Sequence, residues 1–310
     1  MPELPEVQTT VNGLNARVLG KTIASAWTDW PPLIREPSST DFVKRLTGAT
    51  VLRARRRGKN IFIDLDTEET LHVHMKMTGH LLFGSWVRTK ESTKHKAQNS
   101  KEFQPYWIAV EPGAMRDDPG NRFIRLMMTF TDSTQLALCD MRRFAKVGLY
   151  PTQSLEERRE IGLLGPEPLD NAFTKETLGN ILHNKTARPI KQFLMDQTKI
   201  AGIGNIYSDE MLFRAGIHPR RRPSSLNAKE VALLHTAMRD VLRAGLDFGG
   251  DSDVDYRNID GERGRFQSEH HAYRRTGKPC KKRGCAGIIT REIIGGRSAH
   301  FCPGHQHRKE

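Results

Sequence analysis

The hydrophobic pattern changes period near residue 150, and that change limits the possible folds more than any other feature. Before it, TVLRARRRGKNIFIDL (50–65), LHVHMKMTGHLLF (71–83) and RLMMTFTDSTQLALCDMRRF (125–144) alternate over much of their length, as strands with one buried face do. Gly58 marks a turn in the first run and TDST a hairpin turn in the last. After Pro151, apolar residues recur at i, i+3 and i+4 through 174–183, 187–197, 206–215 and 228–246, which predicts helices. Asn227, with Glu230 three residues on, predicts a capping box for the last of these. Residues 3–19 also read as a helix, with Pro2 and Pro5 in its first turn, where proline is tolerated. The expected fold is α+β. An N-terminal antiparallel β-sandwich flanked by helices spans 1–150, a helical domain 151–269 and a separate C-terminal unit 270–310. The polar stretch from Trp86 to Arg122 is expected to be a loop enclosing a short strand at YWIAV, and 249–267 a second loop.

The C-terminal unit holds three of the four cysteines, in CKKRGCAGIITREIIGGRSAHFCPGH. The spacing is C-x4-C-x16-C-x2-H, two ligand pairs separated by two alternating apolar segments, which suits a zinc-bound β-hairpin. Cys280, Cys285 and Cys302 are expected ligands. His305 has the right spacing for the fourth, with His300 and His307 nearby. A disulfide framework does not suit an intracellular chain of this size, and Cys139, in TQLALCD, reads as a small buried hydrophobe.

Charge narrows the partners. The 310 residues carry 49 Lys and Arg against 36 Asp and Glu, a formal net charge of +13. Residues 271–310 contain ten Lys/Arg against two Glu, the footprint of a polyanion binder. With neither a long apolar span nor a basic region followed by an apolar run at the N-terminus, a membrane or secreted role is not expected. An intracellular nucleic-acid protein is.

Two short stretches carry chemistry. The chain opens MPELPEV, and loss of Met1 would leave Pro2 with a free secondary amine. An α-amino group titrates at about 7.7–8.0, far below a lysine, so such an amine can act as a nucleophile. Glu3 is close enough to exchange a proton with a reacting group, and Glu6 lies on the same helical face, able to position Pro2 or a water. The connector TKIAGIGN joins two predicted helices. Gly202 and Gly204 allow close backbone approach, Asn205 can cap the helix that follows, and helix N-terminal amides bind phosphate. Lys191 upstream and Arg220, Arg221 and Arg222 downstream favour a phosphate site there.

Together, MPELPEV, RRGKNIFIDL, HMKMTGHL, DMRRFAKVG, LGPEPL, AGIGNIYSDEMLFRAGIHP and the cysteine-rich hairpin resemble, in order, the bacterial formamidopyrimidine-DNA glycosylases, a helix–two-turn–helix DNA repair family. The resemblance spans nearly the whole chain apart from 87–121 and the linkers. It implies a helix–two-turn–helix domain within 151–269. It further implies a bifunctional glycosylase and AP lyase that removes oxidised purines such as 8-oxoguanine and formamidopyrimidines. Pro2 would attack C1′ of the damaged nucleotide, a Schiff base would form, and β,δ-elimination would leave a one-nucleotide gap. By the same resemblance, Lys59 joins Pro2, Glu3 and Glu6 as a catalytic residue. Met77, Arg142 and Phe144 would fill the stack vacated by the extruded nucleotide, Arg297 would meet backbone phosphates with Asn205 and Lys191, and 249–267 would cover the lesion. One structural zinc ion, duplex DNA containing oxidised bases or abasic sites as the partner, a monomeric state and a cytoplasmic, nucleoid-associated location complete the expectation.

The chain departs from the family at three points. The first metal knuckle has two extra residues and the last ligand position is histidine, DMRRFAK stands for the commoner DPRRFG, and 87–121 has no counterpart. The nearest rival is endonuclease VIII, which shares the nucleophile but prefers oxidised pyrimidines; Leu4, where that group typically has glycine, favours the purine enzyme. A noncatalytic lesion-binding protein is the rival of another class, against which Pro2, Glu3, Glu6 and Lys59 together argue.

Overall fold

The computed structural model describes residues 1–89, 106–183, 186–252 and 255–308. Helix α1 (Leu4–Arg17) is followed by β1 (Ile23–Thr28), α2 (Ser39–Leu46), β2 (Val51–Arg57), β3 (Asn60–Leu65), β4 (Glu69–His74), β5 (His80–Thr89) and β6 (Tyr106–Glu111). Helix α3 (Gly113–Asp117) precedes β7 (Ile124–Phe130), β8 (Gln135–Cys139) and β9 (Lys146–Pro151). Then come α4 (Arg159–Gly162), α5 (Lys175–Leu182), α6 (Ile190–Leu194), α7 (Asn205–Ala215) and α8 (Ala228–Asp247), and finally the hairpin β10 (Thr290–Ile294) and β11 (Arg297–Phe301).

The strands form two antiparallel sheets, ordered β1-β7-β8-β5-β6 and β2-β3-β4-β9. Ile61, Ile63, Leu71 and Val73 of one sheet share a core with Leu81, Leu126, Leu136 and Leu138 of the other. Because side chains alternate across a strand, Leu82, Met127 and Ala137 point to the opposite face, where Met115 of α3 covers them. The run 71–83 is not a single strand. The chain turns at 75–79 and crosses from one sheet to the other, with buried Met75 as the pivot and Lys76 at φ 54°. YWIAV is the edge strand β6, while most of the lysine-rich stretch before it lies outside the described residues.

The helical core gathers Leu178, Ile190, Leu194, Met211, Leu234 and Leu242. Helix α6 is shorter than 187–197 because Pro189 sits at its N-cap, and the capping box of Asn227 and Glu230 is present at α8. Helix α1 has a foot in each core. Val7, Val11 and Leu14 enter the sandwich and Leu4 the helical core, each burial stabilising by roughly 1.5–3 kcal/mol. The start of α1, and with it Pro2, is thereby fixed at the junction of the two halves.

Candidate active site

Three buried charged residues surround the N-terminus. A reciprocal capping box opens α1, in which the Glu3 amide donates to Glu6 Oε2 at 2.7 Å. Glu6 Oε1 accepts from the Tyr207 hydroxyl at 2.6 Å and from the Asp251 amide at 2.7 Å. Burial pushes the Glu6 carboxyl up to about 7, the Glu3 charge adds to the shift, and the three donors oppose it. Lys59 follows Gly58 in the β2–β3 turn and is only 6% exposed. Glu167, from LGPEPL, holds this turn by accepting from the Gly58 amide at 2.6 Å and from Arg57 Nη1 at 3.0 Å. Burial lowers the Lys59 ammonium from its ordinary value, Glu3 and Glu6 oppose that, and Arg297 reinforces it. The Met1 amino group is lowered by burial as well, with Glu3 and Glu6 opposing and Lys59 reinforcing. The terminal amine, two carboxylates, Lys59 and Arg297 therefore share one electrostatic field.

The glycine connector serves this cluster. Gly202 has φ 86°, and its carbonyl accepts from the Leu4 amide at 3.0 Å. A Cβ on Gly204 would lie 2.4 Å from Glu3 Cδ, so only glycine admits the carboxylate. Glu3 accepts from the Gly204 amide at 2.6 Å and the Ile206 amide at 2.9 Å, and it is this carboxylate that caps α7. The expectation that Asn205 caps the helix is corrected: Asn205 is its first residue, Gly204 is the N-cap, and Asn205 Oδ1 is buried without a hydrogen-bond partner among the described residues.

The expected phosphate contact of Lys191 is corrected too. Its side chain is fully buried, with Nζ donating to the Asn205 carbonyl and Ser208 Oγ at 3.1 Å each and to Asp209 Oδ1 at 2.6 Å. An ammonium enclosed in this way has no face left for a phosphate. Of the three arginines downstream, Arg221 is buried against Glu230 at 2.6 Å, Arg220 pairs with Glu292 of β10 at 2.5 Å, and Arg222 is exposed.

Met77, Arg142 and Phe144 occur together on two adjoining turns. Met77 is 37% and Phe144 50% exposed, neither belongs to a core, and the Arg142 guanidinium lies 5.3 Å from the Phe144 ring centroid. Thr78 and Asp140 hydrogen-bond across the two turns, and Asp140 also accepts from the amides of Arg142 at 3.3 Å and Ala145 at 2.7 Å. A side-chain carboxylate thus organises the turn where DMRRFAK lacks the usual proline and glycine. Arg297 is exposed at the β10–β11 turn, whose Gly295 lies against Gln192 of α6. Beside Lys59, a cleft of about 490 Å³ is lined by Arg35, Lys76, Lys146 and Arg158, with Glu160 the acid among its described lining residues.

Cys280, Cys285, Cys302 and His305 converge with all ligand atoms within 4.8 Å of one another. Cys285 Sγ lies 3.7 Å from Cys302 Sγ, and His305 Nδ1 lies 3.6 and 3.8 Å from the sulfurs of Cys280 and Cys285. Metal–thiolate bonds of about 2.3 Å at a tetrahedral centre set two sulfurs about 3.8 Å apart, so the set fits one ion. His305 Nε2 lies 3.2 Å from the Phe213 carbonyl, and donation there leaves Nδ1 free as the ligand atom. His300 instead faces Asp209 at 2.9 Å.

Sequence reasoning overlooked Tyr207, Asp209, Glu210, Asp140 and Glu167. The first three form most of the run Tyr207–Glu210, which is entirely buried. Its signal was visible: a helix with polar residues on every face but apolar neighbours in sequence must find a partner for each.

Two family descriptions match the chain, the formamidopyrimidine-DNA glycosylase N-terminal domain over residues 1–147 and the formamidopyrimidine-DNA glycosylase H2TH domain over 164–256. The chain is 35% identical to the formamidopyrimidine-DNA glycosylase of Pelotomaculum thermopropionicum over 303 residues, 98% of both chains. It is 37% identical to that of Roseobacter denitrificans, over 97% of this chain and 98% of the relative. Among solved structures, a complex of the Lactococcus lactis Fpg with abasic-site DNA superposes with a TM-score of 0.81 at 29% identity, over 99% of this chain and 100% of that one.

Proposed function

Because the chain belongs to the formamidopyrimidine-DNA glycosylase family, we propose that it is a base excision repair enzyme with glycosylase and AP lyase activities, acting on oxidised purines in duplex DNA through the Pro2 amine. The observation that carries this reading is the burial of two carboxylates and a lysine around the chain's own N-terminus, a costly arrangement that a purely structural helix start does not need.

With Met1 removed, the Pro2 nitrogen would lie in the pocket where burial and Lys59 lower the terminal amine, keeping a fraction of it unprotonated near neutrality. Its lone pair attacks C1′, and the glycosidic electron pair leaves with the base, which takes up a proton. Glu6, near neutrality at about 7, is suited to accept the proton the amine loses. The nitrogen lone pair then expels the ring oxygen, forming the iminium, and Glu3 is the group we assign to that oxygen. Water or a nearby base takes a C2′ proton, the C–H electron pair passes into the iminium to give an enamine that expels the 3′-phosphate, and a second elimination releases the 5′-phosphate. We assign Lys59, Asn205 and Arg297 to backbone phosphates, Met77 and Phe144 to the vacated stack, and Arg142 to the orphaned base. A monomer working on chromosomal DNA in the cytoplasm follows from the reading. Among the described residues no helix is long and apolar enough to cross a membrane.

The substrate assignment is tested with duplexes carrying 8-oxoguanine opposite cytosine or an oxidised pyrimidine. Faster excision of 8-oxoguanine is expected. Preference for the pyrimidine would move the protein to the endonuclease VIII group, and binding without strand cleavage would make it a lesion-binding protein.

We further assign one zinc ion to Cys280, Cys285, Cys302 and His305. Three thiolates and an imidazole leave no open position, so the ion would brace the hairpin that presents Arg297. Elemental analysis of purified protein should give one zinc per chain; a different metal, or none with the hairpin intact, contradicts the assignment.

A further inference from the structure

The segment 112–122 has no role in the chemistry above, yet it forms one side of a buried polar junction. Helix α3 and the turn after it rest on the outer face of the five-stranded sheet through Met115. From this platform Asp118 Oδ2 pairs with Arg257 Nε at 2.6 Å, and Arg257 is only 2% exposed. Asn121 Nδ2 donates to the Gly261 carbonyl at 3.2 Å, while its Oδ1 meets His80 Nε2 at 3.0 Å. Arg257 and Gly261 both belong to the polar loop 249–267.

The same loop touches the N-terminal cluster at its other end. The Asp251 amide donates to Glu6 Oε1, and the Tyr256 hydroxyl donates to the Glu6 carbonyl at 3.1 Å. Arg257 Nη1 donates to the Tyr256 carbonyl at 2.8 Å, so adjacent residues link the platform on one side to Glu6 on the other. A cleft of about 880 Å³ separates much of the platform from the loop, lined by Asp117, Asp118, Asp247, Glu262 and Arg263 among others. The outer turn of the loop is held by these polar contacts and by Met115, which lies against Gly261, while Ile259 secures its inner turn in the sandwich core.

We propose that the 112–122 segment is a dock that fixes the loop beside Glu6, with Asp118, Asn121 and Arg257 as positioning residues for excision of the damaged base. This rests on the functional reading above and on the expectation, implied by the family resemblance, that 249–267 covers the lesion. A buried guanidinium that loses its carboxylate is left uncompensated, so a break at Asp118 is transmitted through Arg257 to the backbone of Tyr256. A substrate with a base must seat it under the loop, whereas an abasic site has none to seat.

The test compares full-length native protein with Asp118→Asn and Asn121→Ala on two duplexes, one with 8-oxoguanine and one with a preformed abasic site, alongside amide hydrogen exchange of 255–264. The dock predicts a drop of about tenfold or more in kcat/KM for 8-oxoguanine relative to the abasic duplex, together with faster exchange in the loop. Asn121→Ala removes only neutral hydrogen bonds, those to Ala114, Gly261 and His80, and keeps the test open if the charge change impairs folding. An unchanged ratio of the two activities in the folded variants, or unchanged loop exchange, overturns the proposal. Failure of the native protein to cleave the abasic duplex would instead overturn the functional reading itself.

Discussion

Helix α7 stands between two groups of buried charge built on opposite terms. On one side Asp209 meets Lys191 at 2.6 Å and both the amide and the ring of His300 at 3.0 and 2.9 Å. Next to it, Glu210 accepts from the amides of His271, Ala272 and Tyr273 at 2.8–3.0 Å. Opposite charges and donors there account for one another, and the result ties the C-terminal hairpin to the helical domain. On the other side Glu3 and Glu6 sit together, held by backbone amides and the Tyr207 hydroxyl among the described residues. Like charges are forced together beside a lysine whose ammonium is itself disfavoured by burial. The first group is what a fold needs to hold its shape. In the second, Glu6 and Lys59 are moved from their ordinary proton affinities, and that imbalance is what proton transfer at a nucleophile requires.

The comparison is broken most severely at Asp209. Asp209→Ala leaves the Lys191 ammonium buried without its counter-charge, and a loss of about 3–5 kcal/mol in urea unfolding is expected. A loss below 1 kcal/mol would mean that the paired group is not structural.

Glu6→Gln gives a smaller effect of the opposite sign. The folded-state value near 7 lies above the ordinary 4.5, so the native state binds a proton more tightly than the unfolded chain. Glu6 therefore carries no penalty below pH 4.5, an increasing one as pH rises to about 7, and a constant one above. At roughly 1.4 kcal/mol per pH unit, the penalty is about 3.5 kcal/mol at most, and the acceptor lost in glutamine offsets part of it. Glu6→Gln should gain stability relative to the native protein between pH 5 and 8 while losing excision activity. Thermal melts at both pH values check this, and a difference independent of pH would place Glu6 with the satisfied group.

The parts of this arrangement that were legible in the sequence are local ones. Alternation gave β2, β3, β7 and β8, helical period gave α5, α7 and α8, and the capping box at Asn227 and the Cys/His spacing needed only neighbouring residues. The run 71–83 misled because alternation does not say which sheet a strand joins, and the crossing at 75–79 depends on pairings with β9 and β8. Lys191 misled for a related reason. Its fate depends on Asp209, which lies 18 residues away and turns toward it only once α6 and α7 pack. The glycine at 204 suits a phosphate as far as its neighbours in sequence show, although Glu3, 201 residues earlier, fills that space. The link between Asp118 and Arg257, 139 residues apart, left no local trace at all.

The central claim, that the strained group serves a nucleophile at the N-terminus, is tested most directly by borohydride trapping on an 8-oxoguanine duplex. The protein is first verified by mass to have lost Met1, and the adduct is then mapped to a peptide. A covalent complex at the Pro2 nitrogen is predicted. An adduct on Lys59, or none from processed and folded protein that binds the duplex, would contradict the account.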